Sequence, residues 1–270
     1  MIDYSRHTIL VTGASAGIGA SIAEALAARG ADLALVARRM DRLDALGARL
    51  RQRHGVRVET VAADLASPRP GPAIRAELAA RGIRVTGIVS NAGFGTDGRF
   101  DREDPDRLAA EIAVDAGAVV DLAHTFLPDV RAAAEGILVT ITSEAAYQPI
   151  PGMAVYSAAK AFALTFTEAL WGELRGTGVR VLAFAPGLTA TEFFDELGTE
   201  QYGGRMQTPQ QVADALLREL DRRDPGPSAM ARPVNGMLGV LSAFVTRRAR
   251  VLVTARIARS SALMAARANA

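Results

Sequence analysis

The sequence predicts an α/β protein: a doubly wound sheet of about seven parallel strands with helices on both faces. Short apolar or β-branched runs alternate with longer stretches rich in Ala, Leu and Arg, which is the rhythm of βαβ units. A glycine-rich turn joins the first apolar run to the first long stretch. With 270 residues, of which 49% are hydrophobic, the chain can build one large core.

The elements follow from these runs and from the glycines and prolines between them. The predicted strands are Thr8–Thr12, Leu33–Ala37, Arg57–Val61, Gly87–Ser90, Gly136–Thr142, Arg180–Ala185 and a short seventh at Ser228–Ala231. The predicted helices are Gly17–Arg29, Asp41–His54, Gly71–Arg81, Pro105–Ala134, Ala154–Gly176 and Pro209–Arg222. A mobile loop is predicted over Asp195–Gln207, and a turn over Asp224–Pro227 closes the main domain.

The chain divides into a main domain, residues 1–232, and a C-terminal helical extension, residues 233–270. Between Met237 and Ala268 apolar residues alternate with Arg at near-helical spacing, which predicts an amphipathic basic helix or helix pair. Seven arginines and no acidic residue follow Asp224. Such an element can lie on an anionic membrane surface. Packing on its own domain or on a partner subunit is the favoured alternative.

Composition excludes several classes of protein. The absence of cysteine excludes a disulfide framework, a thiolate metal site and a cysteine nucleophile, and no metal site is predicted. We see no leader before the first strand and no apolar stretch long enough to span a bilayer, so a cytoplasmic protein is expected. No nucleic-acid-binding motif accompanies the basic tail, and nucleic acid is not an expected partner.

The turn after the first strand reads Thr-Gly-Ala-Ser-Ala-Gly-Ile-Gly, from Thr12 to Gly19. Its glycines lie where the backbone must approach a dinucleotide pyrophosphate at a helix N-terminus. Taken alone, the pattern fits a plain glycine-rich turn about equally well. The residues predicted to contact a cofactor here are Gly13, Ser15, Ala16, Gly17, Ile18 and Gly19.

The end of the second strand indicates which dinucleotide is bound. An acidic residue there would accept from a ribose 2′-hydroxyl, as in NAD sites, but this strand ends Val-Ala and continues with Arg38 and Arg39. Guanidinium groups suit a 2′-phosphate, so NADP is the predicted cofactor. The alternative is a solvated arginine pair at the start of a helix.

The chemistry is indicated by Tyr156 and Lys160, four residues apart on a predicted helix and therefore on one face. A nearby ammonium lowers a phenol pKa from about 10 towards neutrality, which an acid/base group for an alcohol needs. Lys160 is the only lysine in the chain. An ordinary surface pair is the alternative for an isolated Tyr-x-x-x-Lys.

Ser143 lies thirteen residues before Tyr156, at the end of a predicted strand. The carboxyl ends of parallel strands form the ligand crevice, so this hydroxyl can donate to a substrate oxygen. A serine that caps the next turn is the alternative.

Taken together, these motifs resemble the short-chain dehydrogenase/reductase family over about Thr8–Ala231, with a Rossmann-like fold. The resemblance also covers Asn91-Ala92-Gly93 and Pro186-Gly187 with Thr191. It implies that Tyr156 transfers the proton, Lys160 holds the nicotinamide ribose and Ser143 polarises the carbonyl. It also implies cofactor contacts from Asp64, Leu65, Asn91, Ala92, Gly93, Pro186, Gly187, Thr189 and Thr191, and an oligomer, a homodimer or a tetramer.

One position departs from the family pattern. Members usually carry an Asn in the helix before the Ser143 strand, where it supports a water relay from the lysine, and Asp115 occupies that place. Asp lacks the amide donor and brings a charge close to Lys160, which raises the lysine pKa and weakens its effect on Tyr156. Catalysis is expected to be slower or shifted in pH optimum.

The predicted substrate wall is mostly apolar, which favours an apolar carbonyl or alcohol substrate. Its residues are Phe94, Tyr147, Met153, Phe193 and Phe194. The predicted function is therefore NADP-dependent hydride transfer between nicotinamide and an apolar carbonyl or alcohol carbon, with reduction favoured. The alternative from another class is a cofactor-binding protein of weak or no turnover that docks a partner or a membrane through its tail.

Overall fold

The protein folds around one seven-stranded parallel sheet, as seen in a computed structural model that describes residues 2–197, 206–232 and 246–256. The strands are β1 (Thr8–Thr12), β2 (Asp32–Ala37), β3 (Val58–Ala62), β4 (Gly87–Ser90), β5 (Ile137–Ile141), β6 (Arg180–Ala185) and β7 (Ser228–Met230). Their order is β3-β2-β1-β4-β5-β6-β7. The chain therefore winds outward in both directions from β1 and β4, which confirms the predicted doubly wound fold.

Helices cover both faces of the sheet. They are α1 (Gly17–Ala27), α2 (Met40–His54), α3 (Pro70–Ala80), α4 (Pro105–Ile112), α5 (Ala118–Arg131), α6 (Ala154–Glu173), α7 (Phe193–Leu197) and α8 (Pro209–Leu220). Parallel strands need such crossover helices, because a hairpin cannot join two strands that run in the same direction.

The strands are buried on both faces, as their near-continuous apolar runs predict. In β1, Ile9 and Val11 belong to the core beneath α1, α2 and α8, whereas Leu10 belongs to the opposite core beneath α3 and α5. Successive side chains point to opposite faces of a strand, so each apolar run supplies both cores at once.

The predicted helix Pro105–Ala134 forms and ends at Arg131, but it contains a π-helical turn that was not predicted. α4 ends at Ile112, a π-helical turn spans Ala113–Gly117, and α5 then begins at Ala118. The Ala118 N–H donates to the Ala113 carbonyl five residues back, which inserts one residue into the helical ladder. The extra residue falls around Asp115, whose side chain is fully buried.

Two further regions differ from the prediction or lie outside the described residues. The predicted mobile loop Asp195–Gln207 begins inside α7, and residues 198–205 are not described. Of the predicted basic tail, only 246–256 is described, with a helix over 247–256 that is named the tail helix below. Within the described residues, no helix is both long and apolar enough to cross a membrane.

Candidate active site

The glycine loop between β1 and α1 has a backbone conformation that lets other groups approach it closely. Gly13 and Gly17 have φ angles of +64° and +56°, which side chains rarely allow. A Cβ on Gly17 would lie 3.1 Å from the Thr191 methyl group, so the loop after β6 lies directly against this turn. The N-cap residue Ala16 has no side chain that can cap α1, which leaves its first N–H groups available to an anion.

Asn91 joins the carboxyl ends of β1 and β4. Its backbone N–H donates to the Thr12 hydroxyl at 2.9 Å, and its side-chain amide donates to the Thr12 carbonyl at the same distance. The neighbouring Ala92 N–H also donates to that hydroxyl, at 3.0 Å. Asn91 thereby forms the floor of the crevice where the strand order reverses, the usual ligand position in an open α/β sheet.

The two arginines after β2 have different surroundings. Arg38 is exposed, whereas Arg39 reaches back to the glycine loop and donates to the Ser15 hydroxyl at 3.1 Å. Arg39 also pairs with Glu192 across 2.9 Å. The structure therefore places a guanidinium group beside the glycine loop at the end of β2, as expected of a 2′-phosphate site.

The other predicted cofactor residues lie along the same crevice. Asp64 is exposed and accepts from the Ala66 N–H at 3.0 Å, as a turn cap does, and Leu65 is buried. The Pro186 carbonyl accepts from the Glu144 N–H at 3.1 Å. The Thr189 hydroxyl donates to the Gly187 carbonyl at 2.8 Å. These bonds fix the loop after β6 next to the end of β5.

Tyr156 and Lys160 lie on the buried face of α6, one turn apart, as predicted. The Lys160 Nζ is 5.7 Å from the centroid of the Tyr156 ring. The Ser143 hydroxyl lies just beyond the end of β5, close enough to the Tyr156 hydroxyl to oppose the rise in the Tyr156 pKa, and it accepts from the Ala145 N–H at 3.1 Å. The fold thus brings the three predicted catalytic side chains together.

Asp115 forms a buried ion pair with Lys160. The Oδ1–Nζ distance is 2.6 Å, and the two side chains are 0% and 6% exposed. The second oxygen, Oδ2, accepts from the Phe94 N–H at 3.1 Å. A Cβ at position 93 would lie 2.5 Å from Asp115 Oδ1 and 2.9 Å from Lys160 Nζ, so Gly93 makes room for the pair.

The ion pair changes the proton affinity of Tyr156. Burial raises the pKa of Tyr156 above its ordinary value, Lys160 opposes this shift, and the Asp115 carboxylate reinforces it. Lys160 lowers the Tyr156 pKa, as expected, but burial and Asp115 outweigh it, so the pKa lies above its ordinary value and not near neutrality. The main physical reason is burial, which disfavours the charged phenolate, and the Asp115 carboxylate adds to it by compensating part of the lysine charge.

Sequence reasoning missed a second buried acid, Glu111. It is 0% exposed, and its Oε2 accepts from the Thr96 hydroxyl at 2.9 Å, whereas its Oε1 has no hydrogen-bond partner among the described residues. Burial raises the Glu111 pKa to about 7, and the nearby Asp115 adds to this shift. Glu111 lies four residues before Asp115 on a predicted helix, and this spacing could have indicated that the two carboxyl groups share a face.

Part of the predicted substrate wall surrounds Tyr156. Met153 packs in one apolar cluster with Tyr156, Ala145 and Phe193. The Phe193 ring centroid lies 5.4 Å from that of Tyr156 and 5.5 Å from that of Phe194, which it meets edge to face.

Two predicted wall residues lie elsewhere. Tyr147 packs with Leu164 and Ala183, and Ser228 of β7 is close enough to its hydroxyl to oppose the rise that burial causes in the Tyr147 pKa. The Phe94 side chain packs against the core beneath α3 and α5, 5.6 Å beneath the Arg107 guanidinium. The Tyr147 side chain therefore lies towards β7. Phe94 contacts the site through its backbone N–H, which donates to Asp115, because its ring packs into the core.

The tail helix contacts the substrate side of the main domain. Thr254 is buried, and its hydroxyl lies 2.8 Å from the Pro149 carbonyl oxygen, four residues before Met153. On its outer side Val251, Leu252 and Val253 are 39%, 60% and 56% exposed. The described part of the tail therefore contacts its own main domain at Pro149.

Comparisons with known proteins agree with this geometry. The family model described as short chain dehydrogenase matches residues 7–202. Sulfoacetaldehyde reductase 2 of Chromohalobacter salexigens is 36% identical over 214 residues, 78% of this chain and 81% of that protein. An uncharacterized oxidoreductase of Mycobacterium tuberculosis is 31% identical over 254 residues, 92% of this chain and 99% of that protein.

Among solved structures, a short-chain dehydrogenase from Sphingobium yanoikuyae in complex with NADPH is similar, with a TM-score of 0.77 and 33% identity. The match covers 89% of this chain and 97% of that one. Family model, relatives and fold all lead to the same assignment: this protein is a member of the short-chain dehydrogenase family of oxidoreductases.

Proposed function

We propose that the protein is an NADP-dependent reductase of an apolar ketone or aldehyde, working through Tyr156. The observation that carries this proposal is the placement of Ser143 beside Tyr156, whose ring packs against the apolar side chains of Met153 and Phe193. Arg39 beside the glycine loop supports a cofactor with a 2′-phosphate. The NADPH in the Sphingobium relative supports the same cofactor.

When bound, the nicotinamide supplies or accepts the hydride. In reduction, Tyr156 gives its hydroxyl proton to the carbonyl oxygen, and the Ser143 hydroxyl donates a hydrogen bond to the same oxygen. Lys160 holds a positive charge beside the phenol, which stabilises the phenolate that the proton transfer leaves behind. The apolar cluster around Tyr156 excludes water from the reacting carbonyl.

The apolar cluster also separates this protein from one of its relatives. Sulfoacetaldehyde is an anion, which needs a cation or several donors to bind it. Among the described residues, the apolar side chains that pack around Tyr156 are those of Ala145, Ile150, Met153, Phe193 and Leu197. We therefore favour an uncharged, apolar carbonyl compound as the substrate class.

The proposal is tested by fluorescence titration of the purified protein with NADPH and NADH, followed by absorbance-monitored NADPH oxidation against a panel of apolar carbonyls. We expect NADPH to bind at least about tenfold more tightly, a difference of about 1.4 kcal/mol. Arg39→Gln should abolish most of this preference, whereas substitution of Arg49, an exposed arginine in the helix that follows Arg39, by Gln should leave it unchanged. Equal binding of both nucleotides would refute the NADP assignment.

Asp115→Asn is expected to lower the Tyr156 pKa, because it leaves the Lys160 charge uncompensated. In alcohol oxidation the phenolate accepts the proton, so kcat/KM rises with pH up to the Tyr156 pKa. We expect this rising limb to move to lower pH by about one unit or more. The measurement is a pH profile of kcat/KM with NADP⁺ and an alcohol substrate.

A matched control for this profile is Asp129→Asn. Asp129 lies on α5, beyond the π-helical turn that holds Asp115, and pairs with the surface arginines Arg75 and Arg84. Its removal should leave the pH profile in place. If Asp115→Asn does not move the profile either, Tyr156 does not respond to the Asp115 charge and the electrostatic account is wrong.

We further propose that the protein works in the cytoplasm as a homodimer or a tetramer, in line with the family tendency. The remaining question is the tail, whose described helix carries three exposed apolar side chains next to exposed arginines. Sedimentation with anionic liposomes, with and without residues 233–270, decides whether the tail also binds a membrane surface.

A further inference from the structure

Glu192 connects the two ends of the candidate active site. Its Oε2 pairs with Arg39 Nη1 at 2.9 Å, and its Oε1 pairs with Arg42 Nη1 at 2.6 Å. Arg39 extends the connection by donating to the Ser15 hydroxyl from Nη2 at 3.1 Å and from Nε at 3.4 Å. A continuous polar bridge therefore runs from the glycine loop through Arg39 to the loop after β6.

The residues of this bridge come from the start of α2 and from the position directly before α7. Arg39 directly precedes α2, and Arg42 lies in its first turn, so both guanidinium groups extend from the carboxyl end of β2. Glu192 directly precedes α7, whose first residue, Phe193, contacts the Tyr156 ring. The carboxylate thus joins the arginines at the adenosine end of the crevice to the segment that packs on the proton donor.

We infer that Glu192 is a specificity-determining latch: in the cofactor-free protein its carboxylate holds the guanidinium groups that a cofactor 2′-phosphate takes when it binds. This inference rests on the proposed NADP-dependent function. The geometry gives the reason, because a carboxylate bound by two guanidinium groups occupies the donors that a phosphate monoester would use. Glu192 and the phosphate are both anions, so they compete for the same cations.

The exposure of the three side chains suits a latch that opens. Arg39, Arg42 and Glu192 are 41%, 44% and 45% exposed, and ion pairs this exposed contribute little to stability. A doubly charged phosphate can therefore displace the carboxylate, whereas a nucleotide with a free 2′-hydroxyl has no anion with which to do so. Displacement also frees Glu192, the residue directly before α7, whose first residue contacts Tyr156.

Glu192→Gln tests the latch, because the amide keeps the size of the side chain and removes its charge. The probes are NADPH, NADH, adenosine 2′,5′-bisphosphate and adenosine 5′-monophosphate, each titrated calorimetrically. We expect the two ligands that carry a 2′-phosphate to bind about three- to tenfold more tightly to the variant, and the other two to change by less than about twofold. Adding Arg39→Gln to the variant should remove the gain.

Glu24→Gln is the matched control, because Glu24 also pairs with two arginines, Arg49 and Arg53, but lies two turns into α1, away from the glycine loop. It should leave all four affinities unchanged. The latch is overturned if 2′-phosphate ligands bind Glu192→Gln no more tightly than wild type, or if all four ligands tighten equally. If the latch is overturned but wild type still binds and oxidises NADPH, the proposed function stands without the latch. If wild type binds none of the four ligands, both the proposed function and the latch are wrong.

Discussion

Tyr156→Phe should lower kcat/KM for carbonyl reduction by about a hundred- to ten-thousandfold, the usual contribution of a positioned general acid. The substitution removes one hydroxyl group and leaves the ring, which packs on Phe193 with centroids 5.4 Å apart. The side chain is buried on α6, so the variant loses the proton donor without opening a cavity of the size of a side chain. NADPH affinity is expected to stay within about threefold of wild type.

Tyr4→Phe is the matched control for this loss. Tyr4 is also buried, and its hydroxyl donates to Asp221 at 3.3 Å, far from the crevice. Both variants remove the hydroxyl group of a buried tyrosine, but only Tyr156→Phe should lose turnover. Stopped-flow measurement with NADPH and the best carbonyl of the panel separates the chemical step from binding. If Tyr156→Phe keeps more than about a tenth of the wild-type kcat/KM, another group supplies the proton.

Several parts of the site follow from local sequence and were predicted on that basis. Tyr156 and Lys160 share a face because they are four residues apart on one helix, a relation that needs no tertiary information. Gly13 adopts a positive φ directly after β1, as a glycine at such a turn predicts. Likewise, the apolar runs predicted all seven strands to within a few residues, because strands buried on both faces must be apolar throughout.

Other parts depend on where separate segments meet, and sequence spacing does not report this. The Asp115–Lys160 pair requires both the π-helical turn that displaces Asp115 and the packing of α6 against that turn. Glu192 reaches Arg39 across 153 residues of chain. Tyr147 lies only nine residues before Tyr156, yet the short 3₁₀ helix Glu144–Tyr147 directs its side chain to Ser228 instead of the substrate.

Lys160→Met is expected to destabilise the protein by about 3–5 kcal/mol at neutral pH and to remove most activity, because it leaves Asp115 as an unpaired buried carboxylate. Asp115 can relieve this strain only by taking up a proton, since its remaining donor is the Phe94 N–H. Its folded-state pKa then lies above the value in the unfolded chain. A folded state that holds the extra proton loses stability as pH rises through the interval between those two values.

The loss of stability should therefore be smaller at pH 5 than at pH 8, measured by urea denaturation at one protein concentration. The double variant Lys160→Met, Asp115→Asn carries no buried charge at this position and should recover at least about 2 kcal/mol relative to Lys160→Met at pH 8. It should remain inactive, because the cation beside Tyr156 is still missing. If the double variant recovers stability without activity, Asp115 holds the lysine in place and Lys160 takes part in the chemistry. If Lys160→Met instead loses less than about 1 kcal/mol of stability at every pH, the pair is not ionised in the folded protein.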